Sequence, residues 1–282
     1  MNKTAFFTMD VESFREISCL QEKPRPEYDG FRIEQAIDDY LDLLDKYNIK
    51  ATFFVLCSSL EHTKRYLTRA VKAGHEIALH GLTHEIPAQM DREELKRQLA
   101  EGKALLEKEF GTEVIGYRAP CFAVTDEVIE EIRELGFKYD SSCLDIKMSY
   151  YHAAAELDGF EKVCDGIEKS GDFYEISPCK VKTVCGSMNI SGGGYLRLAP
   201  YSMVKSGIKK FLKIADYYMF YCHPADMFTE KPPKLKGISP SNAYFIKAGR
   251  KKFLRRTENI IKMLIDGGYS FSTMRDFVKS KD

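Results

Sequence analysis

The stretch Ala5-Phe6-Phe7-Thr8-Met9-Asp10-Val11-Glu12 decides the fold: a strand-forming, mostly apolar run leads straight into an acid, with a second acid two positions on. A short apolar run of this kind suits a strand buried on both faces of a parallel sheet, and a polar residue at its end marks where the sheet meets solvent. The same form recurs along the chain. Glu76–Leu79 is followed by His80, Val114–Tyr117 by Arg118, Phe137–Tyr139 by Asp140, and Tyr218–Cys222 by His223. Ala51–Leu56 and Tyr269–Ser272 bring the strand candidates to seven.

Helical stripes fill the gaps. Ile33, Ile37, Tyr40, Leu41 and Leu44 fall at helical spacing and make one apolar face. Further helices are predicted over Thr63–Ala73, Asp91–Phe110, Asp126–Leu135, Ser202–Ala215 and Lys251–Asp266. Gly74, Gly111, Gly136 and Gly267 each stand just past a helical stripe, where a left-handed cap is needed. Alternation of strand and helix implies a mostly parallel sheet, and seven strands fall one short of a closed eight-stranded barrel. The reading is one α/β domain over residues 1–282, a distorted, incomplete (β/α) barrel, with an open doubly wound sheet as the alternative. Two stretches break the alternation, Ser13–Gly30 and Leu144–Pro200. The longer holds the alternating run Val181–Ile190, which predicts a β-hairpin insertion within about 144–200.

Composition narrows the classes of function. With 282 residues and 44% hydrophobic content the chain can bury one large core. Lys plus Arg equal Asp plus Glu at 42 each, so no basic surplus supports a nucleic-acid partner. No stretch approaches the ~18 apolar residues of a membrane span. The opening MNKTAFFTMDVE meets an acid before any apolar run of signal-peptide length, so the expected location is the cytoplasm. The eight cysteines are scattered without a C-x-x-C pair and read as free thiols; Cys121 and Cys222 adjoin the polar strand ends.

In α/β barrels the strand C-termini converge on one face, so Asp10, His80, Arg118, Asp140 and His223 are aimed at one place. His80 and His84, four residues apart, can offer two imidazoles to one metal. Asp10 and Glu12 project to the same side of a strand while Val11 projects to the other. Two histidines and one carboxylate leave ligand positions open, as a catalytic zinc site requires. An arginine such as Arg118 holds a neighbouring carboxylate ionised, and an acid such as Asp140 beside a histidine raises its pKa toward general-acid duty. His223, stopped at the rim by Pro224, is the expected partner for that second role.

With these residues assembled, the sequence resembles the polysaccharide deacetylases of carbohydrate esterase family four, the NodB-homology superfamily. The ordered motifs TMDVE, HGLTH, RAP, DSS and YCHP carry the resemblance over nearly the whole chain. It implies Asp10 as general base, His80 and His84 as metal ligands, Arg118 as the residue orienting Asp10, Asp140 as the partner of His223, and His223 as general acid. It also implies the backbone N–H of Cys121 as an oxyanion donor. Val11 stands where the family's metal-binding Asp is found, so the carboxylate ligand is expected to be Glu12. The implied cofactor is a divalent metal, zinc by ligand type, with cobalt, nickel or iron also suited. The stretches SGGGYLRLAP and HPADM resemble the exopolysaccharide-associated branch, although Ala225-Asp226 replaces the usual Trp-Glu after His-Pro. With no Trp in the chain, stacking on sugar faces falls to residues such as Tyr195 or Phe228. The expected activity is metal-dependent removal of an N-acyl group, acetyl first, from an amino sugar or glycan. An allantoinase-like or deformylase-like hydrolase of small amides, and a non-catalytic sugar-binding relative, are the alternatives.

Overall fold

The computed structural model describes residues 3–12, 16, 33–144, 155–183, 186–231 and 239–281. The stretch 13–30, Glu16 excepted, lies outside the described residues, as do Cys19 and Cys185. After its first residue every position of β1 (Thr4–Val11) is buried, as its unbroken apolar run requires. Strands flank it on both edges, β11 (Tyr217–Cys222) on one and β2 (Thr52–Leu56) on the other, both parallel to it. From β2 the sheet continues through β3 (Glu76–Gly81), β4 (Gly116–Tyr117), β5 (Tyr139–Asp140) and β8 (Phe173–Ile176), all parallel. It then folds back through β7 (Ile167–Ser170) and β6 (Glu161–Cys164), which pair antiparallel. The path ends at β11 and β6, which do not pair, so the curled sheet is an open half-barrel of mostly parallel strands, the expected incomplete barrel.

The helices on its outer side are α1 (Gln35–Lys46), α2 (Leu60–Lys72), α3 (Arg92–Phe110), α4 (Asp126–Glu134), α6 (Tyr201–Phe211) and α8 (Phe253–Asp266). Their ends follow from local chemistry. The Asp91 carboxylate accepts from the Glu94 N–H at 2.9 Å to start α3, and Gly111 at φ 61° ends it. One expected cap is displaced: Gly267 keeps φ −80°, and the left-handed residue after α8 is Gly268 at φ 76°.

The region expected as an insertion divides in two. Its hairpin is β9 (Lys180–Thr183) with β10 (Gly186–Asn189), antiparallel and separate from the main sheet. Its earlier part is no insertion, because β8 takes the place beside β5 and extends the half-barrel. The four-residue run Phe173–Ile176, buried throughout, was too short to stand out in the sequence. At the opposite end from the polar strand termini, α9 (Met274–Lys279) closes the sheet. Its Met274 and Arg275 N–H groups donate to Thr52 Oγ1 at 3.0 Å and Glu76 Oε2 at 2.9 Å. Phe277 packs edge-on against Phe6 and Tyr174, with centroids 5.2 and 6.3 Å away. Among the described residues no helix is long and apolar enough to cross a membrane.

Since Phe277 is the apolar anchor of α9, Phe277→Ala is expected to reduce unfolding free energy by about 3–5 kcal/mol. Urea denaturation followed by circular dichroism checks this; a loss below about 1 kcal/mol would show that α9 is not part of the cooperative core.

Candidate active site

Asp10 stands on β1 one residue before its end, 1% exposed, and the chain turns at once so that the Glu12 N–H bonds the Asp10 carbonyl at 3.1 Å. Its Oδ1 accepts from Arg118 Nη1 at 2.7 Å. Arg118, just past β4, is fully buried and every nitrogen of its guanidinium is engaged. Nη1 also donates to Thr8 Oγ1 at 2.9 Å, Nε to the Ser141 carbonyl at 3.0 Å, and Nη2 to Ser141 Oγ at 2.8 Å. The plane lies 4.0 Å above the centroid of Phe54. A guanidinium fixed from five directions sets one carboxylate oxygen of Asp10 and leaves the other, Oδ2, facing the opening.

Beside this pair, Glu12, His80 and His84 gather their ligand atoms within 4.8 Å of one another. Glu12 Oε1 is 2.9 Å from His80 Nε2 and 3.0 Å from His84 Nε2. The other nitrogen of His80, Nδ1, lies 2.8 Å from the Arg118 carbonyl and donates to it, which leaves Nε2 aimed at Glu12 as the atom that can offer a lone pair to a metal once its proton is displaced. The electrostatics ask for a cation there. Burial pushes Glu12 up, yet His84 and His80 outweigh it and hold the carboxyl well below its ordinary range. Burial lowers His84 while Glu12 more than offsets this and raises it. Three N/O donors aimed at one point, one with its tautomer fixed from behind, fit a divalent metal ion. Asp140, Cys143 and Glu175 also lie close together, but burial raises Asp140 and raises Glu175 well above its ordinary value, so this pair retains a proton. A cluster that holds protons is the poorer cation site.

Next to Asp10 stands His223, directly after β11, with Nε2 3.7 Å from Asp10 Oδ2. Its partner is not the expected Asp140. Asp226 Oδ2 accepts the His223 backbone N–H at 3.0 Å and lies 3.3 Å from Nδ1, while Oδ1 accepts from Arg197 Nε at 2.9 Å. Asp140 ends inside the sheet instead, bound to the Ser142 hydroxyl and N–H at 2.7 and 2.9 Å, and that hydroxyl accepts from the Ala119 N–H at 2.8 Å. Asp140 is therefore a brace under the loop that carries Arg118. Pro224 turns the chain so tightly that a residue three positions on, and not one on another strand, reaches back to the imidazole. The glycines of Ser191-Gly192-Gly193-Gly194 make room for this: a Cβ on Gly193 would overlap the Asp226 carboxylate. Burial lowers the His223 pKa, but Asp226, Glu12 and Asp10 overcome it and raise it to about 9.

Cys121 follows Arg118 by three residues in a left-handed turn at φ 57°, shared with Phe122 at φ 57°, so two non-glycine residues are strained at the rim. Burial and the Glu12 charge push the Cys121 thiol up to about 12, and burial raises Cys222, which leaves neither a thiolate nucleophile. Cys57, Cys143, Cys164, Cys179 and Cys222 are free thiols, as the sequence reading expects. Tyr195 is exposed, whereas Phe228 is buried with Arg250 stacked 3.6 Å from its centroid, so its ring is not free for a sugar. Phe122 and Tyr221, at 4.9 Å between centroids, form the aromatic wall beside His223 that sequence reading did not single out.

The strand ends of the open half-barrel thus bring together an arginine-held acid, an N/O ligand set and a carboxylate-backed histidine. The polysaccharide deacetylase family profile matches residues 28–139, and a domain of unknown function, DUF3473, matches residues 146–279. The polysaccharide deacetylase profile thus covers less than half of the chain. The chain is 31% identical to the peptidoglycan deacetylase of Helicobacter pylori over 122 residues, which cover 43% of this chain and 42% of that protein. It thus spans less than half of that relative. Among solved structures it resembles a polysaccharide deacetylase-type protein from Mycobacterium smegmatis, with TM-score 0.64 and 18% identity over 99% of this chain and 90% of that one. It also resembles a CE4-family pseudoenzyme from Bacillus anthracis, with TM-score 0.57 and 12% identity over 98% of this chain and 66% of that one. The site crosses the boundary of the two profiles: His80, His84 and Arg118 lie in the first, His223 and Asp226 in the second, and Asp10 and Glu12 precede both.

A histidine that donates a proton loses activity as pH rises through its pKa, and removing the Asp226 charge lowers that pKa. Asp226→Asn is therefore expected to move the alkaline limb of the pH–rate profile down by at least about one pH unit. Asp140→Asn should leave that limb in place; the reverse pattern would restore Asp140 as the partner of His223.

Proposed function

We propose that the chain hydrolyses an N-acyl group, acetyl in the first instance, from an amino sugar within a glycan. The observation that carries this reading is that Asp10 Oδ2 and His223 Nε2, 3.7 Å apart, stand together beside the Glu12–His80–His84 cluster. Glu12, His80 and His84 would hold the metal, zinc by ligand type, and when bound it supplies Lewis acidity toward water and the acyl carbonyl. Arg118 keeps Asp10 ionised and fixed, and Asp10 takes the proton from the attacking water as its oxygen bonds to the acyl carbon. The Cys121 backbone N–H is assigned to the oxygen that gains charge, in a turn already bent toward the site. His223, protonated at neutral pH, gives its proton to the amide nitrogen as the C–N bond breaks, leaving a free carboxylate and a free amine. Asp226 keeps that proton on the imidazole between turnovers.

The SGGGY and HPAD segments that build the His223 pocket are also those that resemble the exopolysaccharide-associated branch, and we extend the proposal to a glycan of that kind. A loss of function like that of the Bacillus anthracis neighbour is disfavoured by the intact convergence of three ligand atoms, with Glu12 supplying the oxygen that Val11 cannot.

The experiment is acetate release from N-acetylated chitooligosaccharides set beside a panel of small linear amides, before and after chelation. The proposal expects glycan turnover that chelator removes and added zinc restores. Asp10→Asn should retain the metal and lose turnover by at least ~10²–10⁴-fold. Turnover of small amides with none of the glycans would replace the substrate class, and full activity in metal-replete Asp10→Asn would remove Asp10 as base.

A further inference from the structure

Behind His223 the structure buries more positive charge than it neutralises. Arg197 and Arg250 are 5% and 7% exposed. Arg197 gives Nε to Asp226 at 2.9 Å and Nη1 to the carbonyls of Phe245 and Ala248 at 2.7 Å each. Arg250 meets no carboxylate among the described residues. Its donors reach the carbonyls of Lys247, Phe228 and Glu230 at 3.4, 3.3 and 3.5 Å, and its plane lies over the Phe228 ring. Asp226, the one acid in contact, is shared between Arg197 and His223. Burial and the neighbouring Arg197 charge pull Arg250 down to about 10, which still leaves it charged at neutral pH. A buried cation without a paired anion is strongly disfavoured unless a ligand supplies the anion.

The same two arginines open onto a cavity of about 510 Å³. Arg197, Lys247, Arg250, Lys251, Lys252 and Arg256 line it, and among the described residues no acidic side chain does. The cavity is built from three chain segments held in register. Gly249, at φ 76°, lets the corner between α7 (Pro240–Lys247) and α8 press onto the Arg197 carbonyl, where any Cβ would overlap it. Arg256 Nη1 donates to the Leu196 and Arg197 carbonyls and ties α8 to α5 (Gly193–Leu198). Lys247, Lys251 and Lys252 are exposed at the mouth. A volume in the range of small-ligand sites, a cationic floor and three exposed ammonium groups describe a receptor for a multiply charged oxyanion.

We propose that this cavity binds a phosphate or pyrophosphate group carried by the substrate, a step that rests on the deacetylase reading of the adjacent site. A single carboxylate would leave most of the five cations other than the Asp226-paired Arg197 unbalanced, whereas a pyrophosphate brings several charges and enough acceptor oxygens for arginine and lysine donors together. Arg197 lines the cavity and bonds Asp226, which in turn holds His223, so the cavity lies two hydrogen bonds from the proposed acid.

Calorimetric titration of the metal-loaded protein with inorganic pyrophosphate, and separately with glucuronate, tests this without measuring turnover. Pyrophosphate is expected to bind, more weakly as salt rises, and at least about tenfold more tightly than glucuronate. The triple variant Lys247→Glu, Lys251→Glu, Lys252→Glu should weaken pyrophosphate by at least about tenfold. The control Lys205→Glu, Lys209→Glu, Lys213→Glu, with the same charge change at exposed positions on and just after α6, should weaken it much less. No binding by the wild type, equal binding by the first variant as metal chelation of pyrophosphate would give, or equal losses in both variants each overturn the proposal. Tighter binding of glucuronate overturns the phosphate assignment. Acetate release from neutral chitooligosaccharides survives all of these failures, so the two readings fail separately.

Discussion

A fully buried guanidinium holds the site together. Arg118 bonds residues of β1 and of the turn after β5, lies on Phe54 of β2, and touches the Met219 sulfur of β11 at 3.5 Å. No solvent screens it, so each of those bonds must be made or the burial is strongly unfavourable. The half-barrel can therefore close around Arg118 in one arrangement, and that arrangement aims Asp10. The Arg118 carbonyl meanwhile fixes the tautomer of His80, so one residue orients both the acid and a ligand histidine.

Two carboxylate clusters in this chain show how burial alone does not decide protonation. Glu12 and Glu175 are both in the interior, and desolvation is the largest influence on each. Glu12 faces two imidazoles and is held ionised; Glu175 faces Asp140 and is held protonated. The difference follows from the sign of the neighbour's charge, and it separates a place for a cation from a proton-sharing brace beneath the Arg118 loop. The same principle operates at Asp226, which serves two cations at once and leaves Arg250 without an anion.

Much of this was legible in the sequence, because strand termini in a parallel half-barrel expose their last residue by geometry. Asp10, His80, Arg118 and His223 could be placed from the apolar runs that precede them, whereas Glu12, expected beside Asp10 from strand period, follows a turn after the end of β1. The Asp140 pairing was misread because a two-residue strand ends deeper in the sheet than its motif position suggests. Asp226 and Arg197 were missed for a different reason. Asp226 reaches His223 through a tight turn after a proline, a local relation that strand and helix periodicity do not register, although the spacing of His223-Pro-Ala-Asp226 carried the signal of a capping turn. β6, β7 and β8 escaped notice because four-residue strands are shorter than any dependable periodic window.

The central claim is that a divalent ion sits among Glu12, His80 and His84, between the Arg118-held Asp10 and the Asp226-held His223. Anomalous diffraction above and below the zinc edge, on crystals of the purified protein soaked with zinc, tests it most directly. The account predicts one strong anomalous peak in contact with Glu12, His80 and His84. A peak at Asp140, Cys143 and Glu175 instead, or none in a crystal whose solution contains the ion at saturating level, would contradict it.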